Sequence, residues 1–585
     1  MIIFWADTGM DRSIFGIKKE SLVAKSLYEF SFSNLLDATA TEYGHYPAFS
    51  DRSGGQWRSL DFRDCARRSN AIAHWLEQKQ LNTRCMIFAE SRLEWPLAFF
   101  GIMNAGAVAI PVDAKSTPQE LATFIRHTQP AVLLLSPKLQ EVAEQAAQLA
   151  QWQGALLLLD LDNQRDSRAM GTFKAAPAHF RPHSLSANST AVIAFTSATS
   201  GQPKAVETSV RNLFHQMQSL RDLFGVKPGD ALLSILPLSH LLELSCGFLA
   251  AFASGGHVNY LNSILPNEIK DALKQRGITH MIVVPLLMDM IRKGIERNFT
   301  TKLGSRGTTV LQGMQLASSL APTNPLRRFL NRFILSELGP KLDTLIVGGA
   351  TLDPSTLTFF NNLGINAWQG YGLTETSPVA AVNSPGQIKR GSVGRAMPGC
   401  AIRIDAAPGE KIGEILIKGP CIMNGYFNDR AHTRDVIDQH DWFHTGDLGY
   451  VCEDGYLFIT GRKKNLIVLD GGKKVYPEEV EKALSASLLF QELCVTGLKV
   501  PHPSLPGKLT EQVSAVIVPN AQLRESKSLA ELQTLCEQEV QRLCRDLSAY
   551  KRPVQIIVQL DELPKTRTGK VKAPLVQQQL SASNP

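Results

Sequence analysis

The residues best suited to chemistry lie at opposite ends of the chain. Near the end, Leu563-Pro564-Lys565-Thr566-Arg567-Thr568-Gly569-Lys570 puts a lysine on a tight, polar, glycine-bearing loop. Far upstream, Phe195-Thr196-Ser197-Ala198-Thr199-Ser200-Gly201-Gln202-Pro203-Lys204 is dense in hydroxyls. Hydroxyls and backbone N–H groups of such a loop can cradle a polyphosphate. The distant lysine would add a point charge when its part of the chain swings in. The upstream loop lacks the G-x-x-x-x-G-K-[ST] order, so it is not a Walker loop. Taken alone, either loop also reads as an ordinary solvated turn.

Three further clusters stand between them. Gln369-Gly370-Tyr371-Gly372-Leu373-Thr374-Glu375-Thr376 combines backbone room, an aromatic plane, a hydroxyl and a carboxylate. Tyr371 could stack on a base, Thr374 could bond a phosphate, and Glu375 could hold Mg²⁺, a hard ion that prefers oxygen. Phe443-His444-Thr445-Gly446-Asp447 offers a carboxylate in a turn, suited to accept two ribose hydroxyls. Gly461-Arg462-Lys463-Lys464-Asn465 supplies three bases. Leu236-Pro237-Leu238-Ser239-His240 places one histidine after an apolar strand, where a satisfied core histidine is the plainer reading. No Ser-His-Asp or Cys-His set can be assembled.

The elements that must position these groups are those of an α/β protein. Short apolar runs alternate with helical patterns over roughly the first 460 residues, the signature of a parallel sheet wrapped by helices. Thr117-Pro118-Gln119-Glu120 predicts a helix start, with Thr117 as N-cap and Glu120 completing a capping box. Strands are expected at Ala191–Phe195, feeding the hydroxyl-rich loop, and at Leu345–Val347, running into Gly348-Gly349-Ala350. Loops at the carboxyl ends of such strands are where α/β proteins bind ligands. The longest apolar candidate, Leu244 to Gly255, reads as a buried helix. From Ala401 the texture becomes β-rich, and near Arg462 it changes again into a shorter segment with helical patterns at Pro477–Ala486 and Leu529–Leu547. The expectation is two domains: 1–461, a large N-terminal domain of layered sheets wrapped by helices with a β-rich subdomain, and 462–585, a small mobile α+β domain carrying Lys570.

Composition narrows the partners. Of 585 residues, 44% are apolar and 20% charged, a globular balance with material for large cores. A net charge of +7 suits anionic substrates and makes no case for nucleic acid. Nine scattered cysteines without C-x-x-C spacing argue for reduced thiols in the cytoplasm, against a disulfide framework and against a zinc site. The start has no basic leader, and no uncharged apolar run reaches about 18 residues, so the chain reads as soluble.

With these blocks in order, the chain resembles the adenylate-forming superfamily of acyl-CoA synthetases, adenylation domains and beetle luciferases, from about Asn34 to about Leu580. Within it the chain is similar to long-chain fatty-acid–CoA ligases. The segments that carry this are Leu233–His240, Gly348-Gly349-Ala350, Gln369–Thr376, Gly461–Val468 and Gly472–Glu481. The resemblance implies that a carboxylate attacks the α-phosphate of Mg·ATP to give acyl-AMP, and that a thiol then takes the acyl group. It implies that Thr196, Ser197, Ala198, Thr199, Ser200, Gly201 and Lys204 grip the β- and γ-phosphates. Gly349 and Ala350 would border adenine, and Tyr371 would stack on it. Thr374 would touch the α-phosphate, Glu375 would ligate Mg²⁺, and Asp447 with Arg462 would hold the ribose. Lys570 would bridge carboxylate and phosphate, His240 would sit near the carboxylate end of an acyl tunnel, and Lys464 would be the hinge.

Two positions depart from the family pattern, which usually has glycine at Ala198 and at Ala205. Alanine at positive φ is strained by about 1–2 kcal/mol, so a weaker nucleotide grip is one expectation. Between Arg292 and Lys341 nine Lys/Arg face two Asp/Glu, interleaved with Leu326, Phe329, Leu330, Phe333, Ile334 and Leu335. This reads as an ordinary surface helix or as a basic amphipathic helix at the inner face of a membrane. The functional readings are a ligase making acyl-CoA from a medium- or long-chain fatty acid, an enzyme delivering the acyl group to the phosphopantetheine of an acyl carrier protein or to a partner enzyme, and a non-catalytic acyl-binding relative.

Overall fold

The computed structural model describes residues 21–53, 55–196, 203–304, 306–321, 323–350, 352–469, 473–501, 509–565 and 571–583. Two large sheets dominate. One has nine strands, with Ala231–Ser234, His280–Val283, Thr344–Val347 and Asn366–Tyr371 side by side and parallel. The other has seven and is built on Arg84–Phe88, Val108–Val112 and Thr190–Phe195. At its edge Ala205–Ser209 returns antiparallel to Thr190–Phe195, and the short strand Gly425–Tyr426 pairs onto it.

Between the sheets lies Glu94–Asn104, a helix buried on all eleven residues. Its sequence, EWPLAFFGIMN, is apolar nearly all round, which a helix sandwiched between two layers requires. Trp95, Phe99 and Phe100 meet Phe49, Phe248 and Phe252 in one aromatic core. Each ring of this kind contributes about 1.5–3 kcal/mol by leaving water. Glu94 is wholly buried in that layer and accepts from Arg58 Nη2 at 2.9 Å and Arg92 Nε at 2.7 Å. The expected capping box forms as well: Glu120 N donates to Thr117 Oγ1, and Thr117 N donates to Glu120 Oε2.

A four-stranded antiparallel sheet follows, including Gly413–Lys418, Phe443–Val451 and Leu457–Arg462. Beyond it a three-stranded sheet of Phe490–Pro501, Leu509–Pro519 and Gln555–Val558 packs against the helices Pro477–Leu484 and Leu529–Leu543. All nine cysteines are free thiols. No described helix is long and apolar enough to cross a membrane.

Three expectations change. The apolar run expected as a buried helix is buried but opens as a π-helix, Glu243–Ala250, before one α-turn. The basic segment is not one helix: Pro285–Leu303, Arg306–Leu320, Asn324–Leu330 and Arg332–Leu338 are separate. Gly304 at φ +60° ends the first, Pro325 opens the third, and Asn331 ends the third and caps the fourth. Ala205 carries no backbone strain, because it opens a strand opposite Phe195 and is absent from the positive-φ positions.

Candidate active site

Three expected segments leave the carboxyl edge of the nine-stranded sheet. Thr344–Val347 ends in Gly348-Gly349-Ala350, Asn366–Tyr371 ends in the 3₁₀ turn Thr374–Thr376, and Ala231–Ser234 leads to His240. The Gly348-Gly349-Ala350 loop and the His240 segment adjoin: a Cβ on Gly348 would lie 3.2 Å from Leu242 Cδ2. Val284, which follows a fourth strand, His280–Val283, approaches Gly349, which sits at φ +87°. Gly372 has a stricter reason to be glycine, since a Cβ there would lie 1.9 Å from the Pro378 carbonyl oxygen.

The four-stranded sheet brings Asp447 and Arg462 to the same place. They are register partners on adjacent strands, and Arg462 Nε lies 3.0 Å from Asp447 Oδ1. Tyr371 completes the set by donating its hydroxyl to Asp447 Oδ2 at 2.7 Å. Asp447 is 3% exposed, so its charge depends on these partners. Burial and the adjacent Asp447 carboxylate push the Tyr371 hydroxyl well above its usual range, which keeps it a donor. Thr445 holds the turn by donating to the Ile415 carbonyl and accepting from Asp447 N.

A second polar chain runs from Glu375 toward the hydroxyl-rich loop. Tyr426 donates to Glu375 Oε1 at 3.0 Å, and Lys204 Nζ lies 4.6 Å from the centre of the Tyr426 ring. The backbone fixes this: Met423 N donates to the Glu375 carbonyl, and Tyr426 pairs with Val206 just beyond Lys204. Tyr426 and Thr445 were not identified from the sequence. The available signal was an aromatic residue after glycine in Asn424-Gly425-Tyr426 and a hydroxyl two residues before Asp447.

Among the described residues, no three His, Cys, Asp or Glu side chains cluster to hold a metal. The single Glu375 carboxylate fits Mg²⁺, which binds through one or two carboxylates plus substrate phosphates. Thr196 sits where the first strand ends, its N–H donating to the Lys204 carbonyl. Ser197, Ala198, Thr199, Ser200, Gly201 and Lys570 lie outside the described residues. Lys464 lies in the 3₁₀ turn Lys463–Asn465 that follows Arg462. Its neighbour Lys463 anchors that turn on Glu414 at 2.8 Å. Burial opposes the Glu414 charge, but Lys463, the Gly446 N–H and His444 together outweigh it, and the carboxyl sits below its usual range.

Comparison with known proteins shows the family. Residues 36–427 match the AMP-binding enzyme family, and residues 479–570 match the AMP-binding enzyme C-terminal domain. A long-chain-fatty-acid–CoA ligase, FadD15 of Mycobacterium bovis, is 29% identical over 76% of each chain. A long-chain-fatty-acid–[acyl-carrier-protein] ligase of Arabidopsis thaliana, AEE15, is 26% identical over 80% of this chain and 74% of its own. The fold matches the crystal structure of ATP-bound MatB from Rhodopseudomonas palustris, with TM-score 0.73 at 24% identity over 94% of this chain and all of that one. The chain belongs to the AMP-binding enzyme family, within the adenylate-forming superfamily that includes acyl-CoA ligases.

Proposed function

We propose that the chain activates a medium- or long-chain fatty acid with ATP and transfers the acyl group to CoA. The observation that carries this reading is the meeting of the two polar chains, Tyr371–Asp447–Arg462 and Lys204–Tyr426–Glu375, on one segment, Gln369–Thr376. One chain suits a ribose and the other a polyphosphate. A carboxylate oxygen of the acid forms a bond to the α-phosphorus, the bond to the bridging oxygen breaks, and pyrophosphate leaves. The thiol then gives up its proton, its sulfur bonds the acyl carbon, and AMP departs.

In this reading Asp447 accepts from the ribose hydroxyls with Arg462 beside it, and Tyr371 stacks on the adenine bordered by Gly349 and Ala350. Thr374 bonds the α-phosphate. Residues 196–201 and Lys204 hold the β- and γ-phosphates. Mg²⁺ on Glu375 would neutralise phosphate charge. His240 lies toward the acid's carboxylate, on a segment that reaches Gly348 through Leu242. Lys570 supplies the cation that stabilises charge gathered in the transition state more than in the ground state. The chain divides at 461/462, with Lys464 as the pivot that withdraws Lys570 for the second step.

A second acceptor, the phosphopantetheine of an acyl carrier protein, is favoured by the likeness to the Arabidopsis carrier-protein ligase and presents the same thiol arm. The test is fatty-acid-dependent pyrophosphate release from Mg·ATP across chain lengths, with CoA, with carrier protein and with neither, beside Lys570→Ala. Release that needs the acid, peaks at one chain length, accelerates with CoA and falls roughly 10²–10³-fold in the variant is expected. Acceleration by carrier protein alone would move the acceptor. No release with any acid would overturn the reading.

A further inference from the structure

Two of the nine cysteines face each other in the interior. Cys400 and Cys421 are both buried, and their sulfurs lie 3.1 Å apart. That is inside the roughly 3.5–4.0 Å optimum even for carbon atoms. The local chain is built for this approach. Cys400 precedes the strand Ala401–Asp405, and Cys421 follows its antiparallel partner Gly413–Lys418. Between them in space is Gly419 at φ +144°, where a Cβ would lie 2.8 Å from Cys400 Cα and 3.1 Å from Cys400 Sγ. Only glycine leaves the Cys400 sulfur that space.

One helix, Val210–Phe224, holds both turns in place. His215 Nε2 donates to the Pro398 carbonyl at 2.7 Å, and Asn212 Nδ2 donates to the Pro420 and Ile422 carbonyls at 2.8 and 2.9 Å. The second turn leads straight to the candidate active site. Two residues beyond Cys421, Met423 N donates to the Glu375 carbonyl at 3.0 Å, and Tyr426 then reaches Glu375 Oε1.

We propose that Cys400 and Cys421 are a reversible oxidation site, closed to a disulfide by hydrogen peroxide, and that closure slows the chemistry at Glu375. One sulfur attacks a peroxide oxygen, the O–O bond breaks and a water leaves, giving a sulfenic acid. The other sulfur then attacks the first and displaces its oxygen as a second water. Both sulfurs are oxidised, both peroxide oxygens are reduced, and the two thiol protons end in the waters. A disulfide needs about 2.05 Å between sulfurs, so they close by about 1 Å, and the turn before Met423 moves with them. A shift of that size at a catalytic group costs up to about a hundredfold in rate. The contact with Cys400 and burial push the Cys421 thiol well above its usual range, so the first attack is slow. Selectivity comes from the second step, where a sulfenic acid at either position already touches its thiol partner. The linkage does not depend on the fatty-acid ligase reading; its effect on rate does.

The test oxidises the reduced full chain with dilute hydrogen peroxide, blocks the remaining thiols and maps the peptides by mass spectrometry. A peptide linked through Cys400 and Cys421 is expected. Fatty-acid-dependent pyrophosphate release should slow about tenfold or more and return with dithiothreitol. The same loss should appear in Cys452→Ala, which removes the one cysteine that is not buried, and be absent from Cys400→Ala and from Cys421→Ala. Before oxidation all three variants should match the wild-type rate. No linkage in oxidised, folded protein would overturn the proposal. So would linkage that leaves the rate unchanged, or an equal loss in Cys400→Ala and Cys421→Ala. No release by the reduced wild type would sink the ligase reading instead, and the linkage alone would then decide this one.

Discussion

Beside Asn366–Tyr371 the carboxylates have hydrogen-bond partners; after Ala231–Ser234, in the same sheet, a buried carboxyl has none among the described residues. Asp447 is covered by Tyr371 and Arg462, and Glu375 receives Tyr426. Glu243 is wholly buried at the first position of the π-helix, and among the described residues neither of its oxygens has a hydrogen-bond partner. The Ser234 and Tyr260 hydroxyls are likewise unpartnered. Gly247 makes room for the acid, since a Cβ there would lie 2.0 Å from Glu243 Oε1. A buried charge persists only where partners repay its desolvation. The first region supplies such partners. In the second, burial pushes Glu243 up to about 8, and the acid is neutral at physiological pH.

The largest effect that could break this contrast is on stability. The folded-state value of Glu243 is raised above the unfolded one, so the unfolded chain binds fewer protons. Stability is fully present below about pH 4.5 and is lost as pH rises toward about 8. Across about pH 5.5–7.5 that loss is roughly 1.4 kcal/mol per pH unit. Glu243→Gln should remove this slope from melting temperatures recorded between pH 6 and 8. An unchanged slope would mean that the acid is paired after all.

Next in size is Asp447→Ala, which removes the acceptor common to Tyr371 and Arg462. Charge-assisted hydrogen bonds contribute about 1.5–3 kcal/mol each, so kcat/KM for Mg·ATP should fall roughly a hundredfold. Tyr426→Phe deletes one such bond and should cost about tenfold in the same constant, with melting temperature little changed. Ala205→Gly is the smallest. Glycine inside a strand costs about 0.5–1 kcal/mol, so the variant should be slightly less stable and no better with ATP. Tighter ATP binding by Ala205→Gly would restore the strained-loop expectation.

Much of the fold was legible because its signals are local. The capping box at Thr117 and the strand before the hydroxyl-rich loop both follow from residue type and period. The ordered motifs likewise pointed to Tyr371, Asp447 and Arg462, which the fold brings together from two sheets. Tyr426 escaped because its role depends on an antiparallel pairing with residues about 220 positions earlier, which no periodicity reveals. The π-helix escaped because an i→i+5 pattern and an α-helix share an apolar run. The basic segment was misread as one helix because charge and apolar content do not register where Gly304 and Asn331 break it.

The most direct test of the central claim is calorimetric titration of the wild type and Asp447→Ala with a non-hydrolysable long-chain acyl-adenylate analogue. Tight binding by the wild type, weakened roughly a hundredfold in the variant, is the predicted result. No binding by folded wild-type protein, or equal binding by the two, would contradict the assignment of this pocket to the acyl-adenylate.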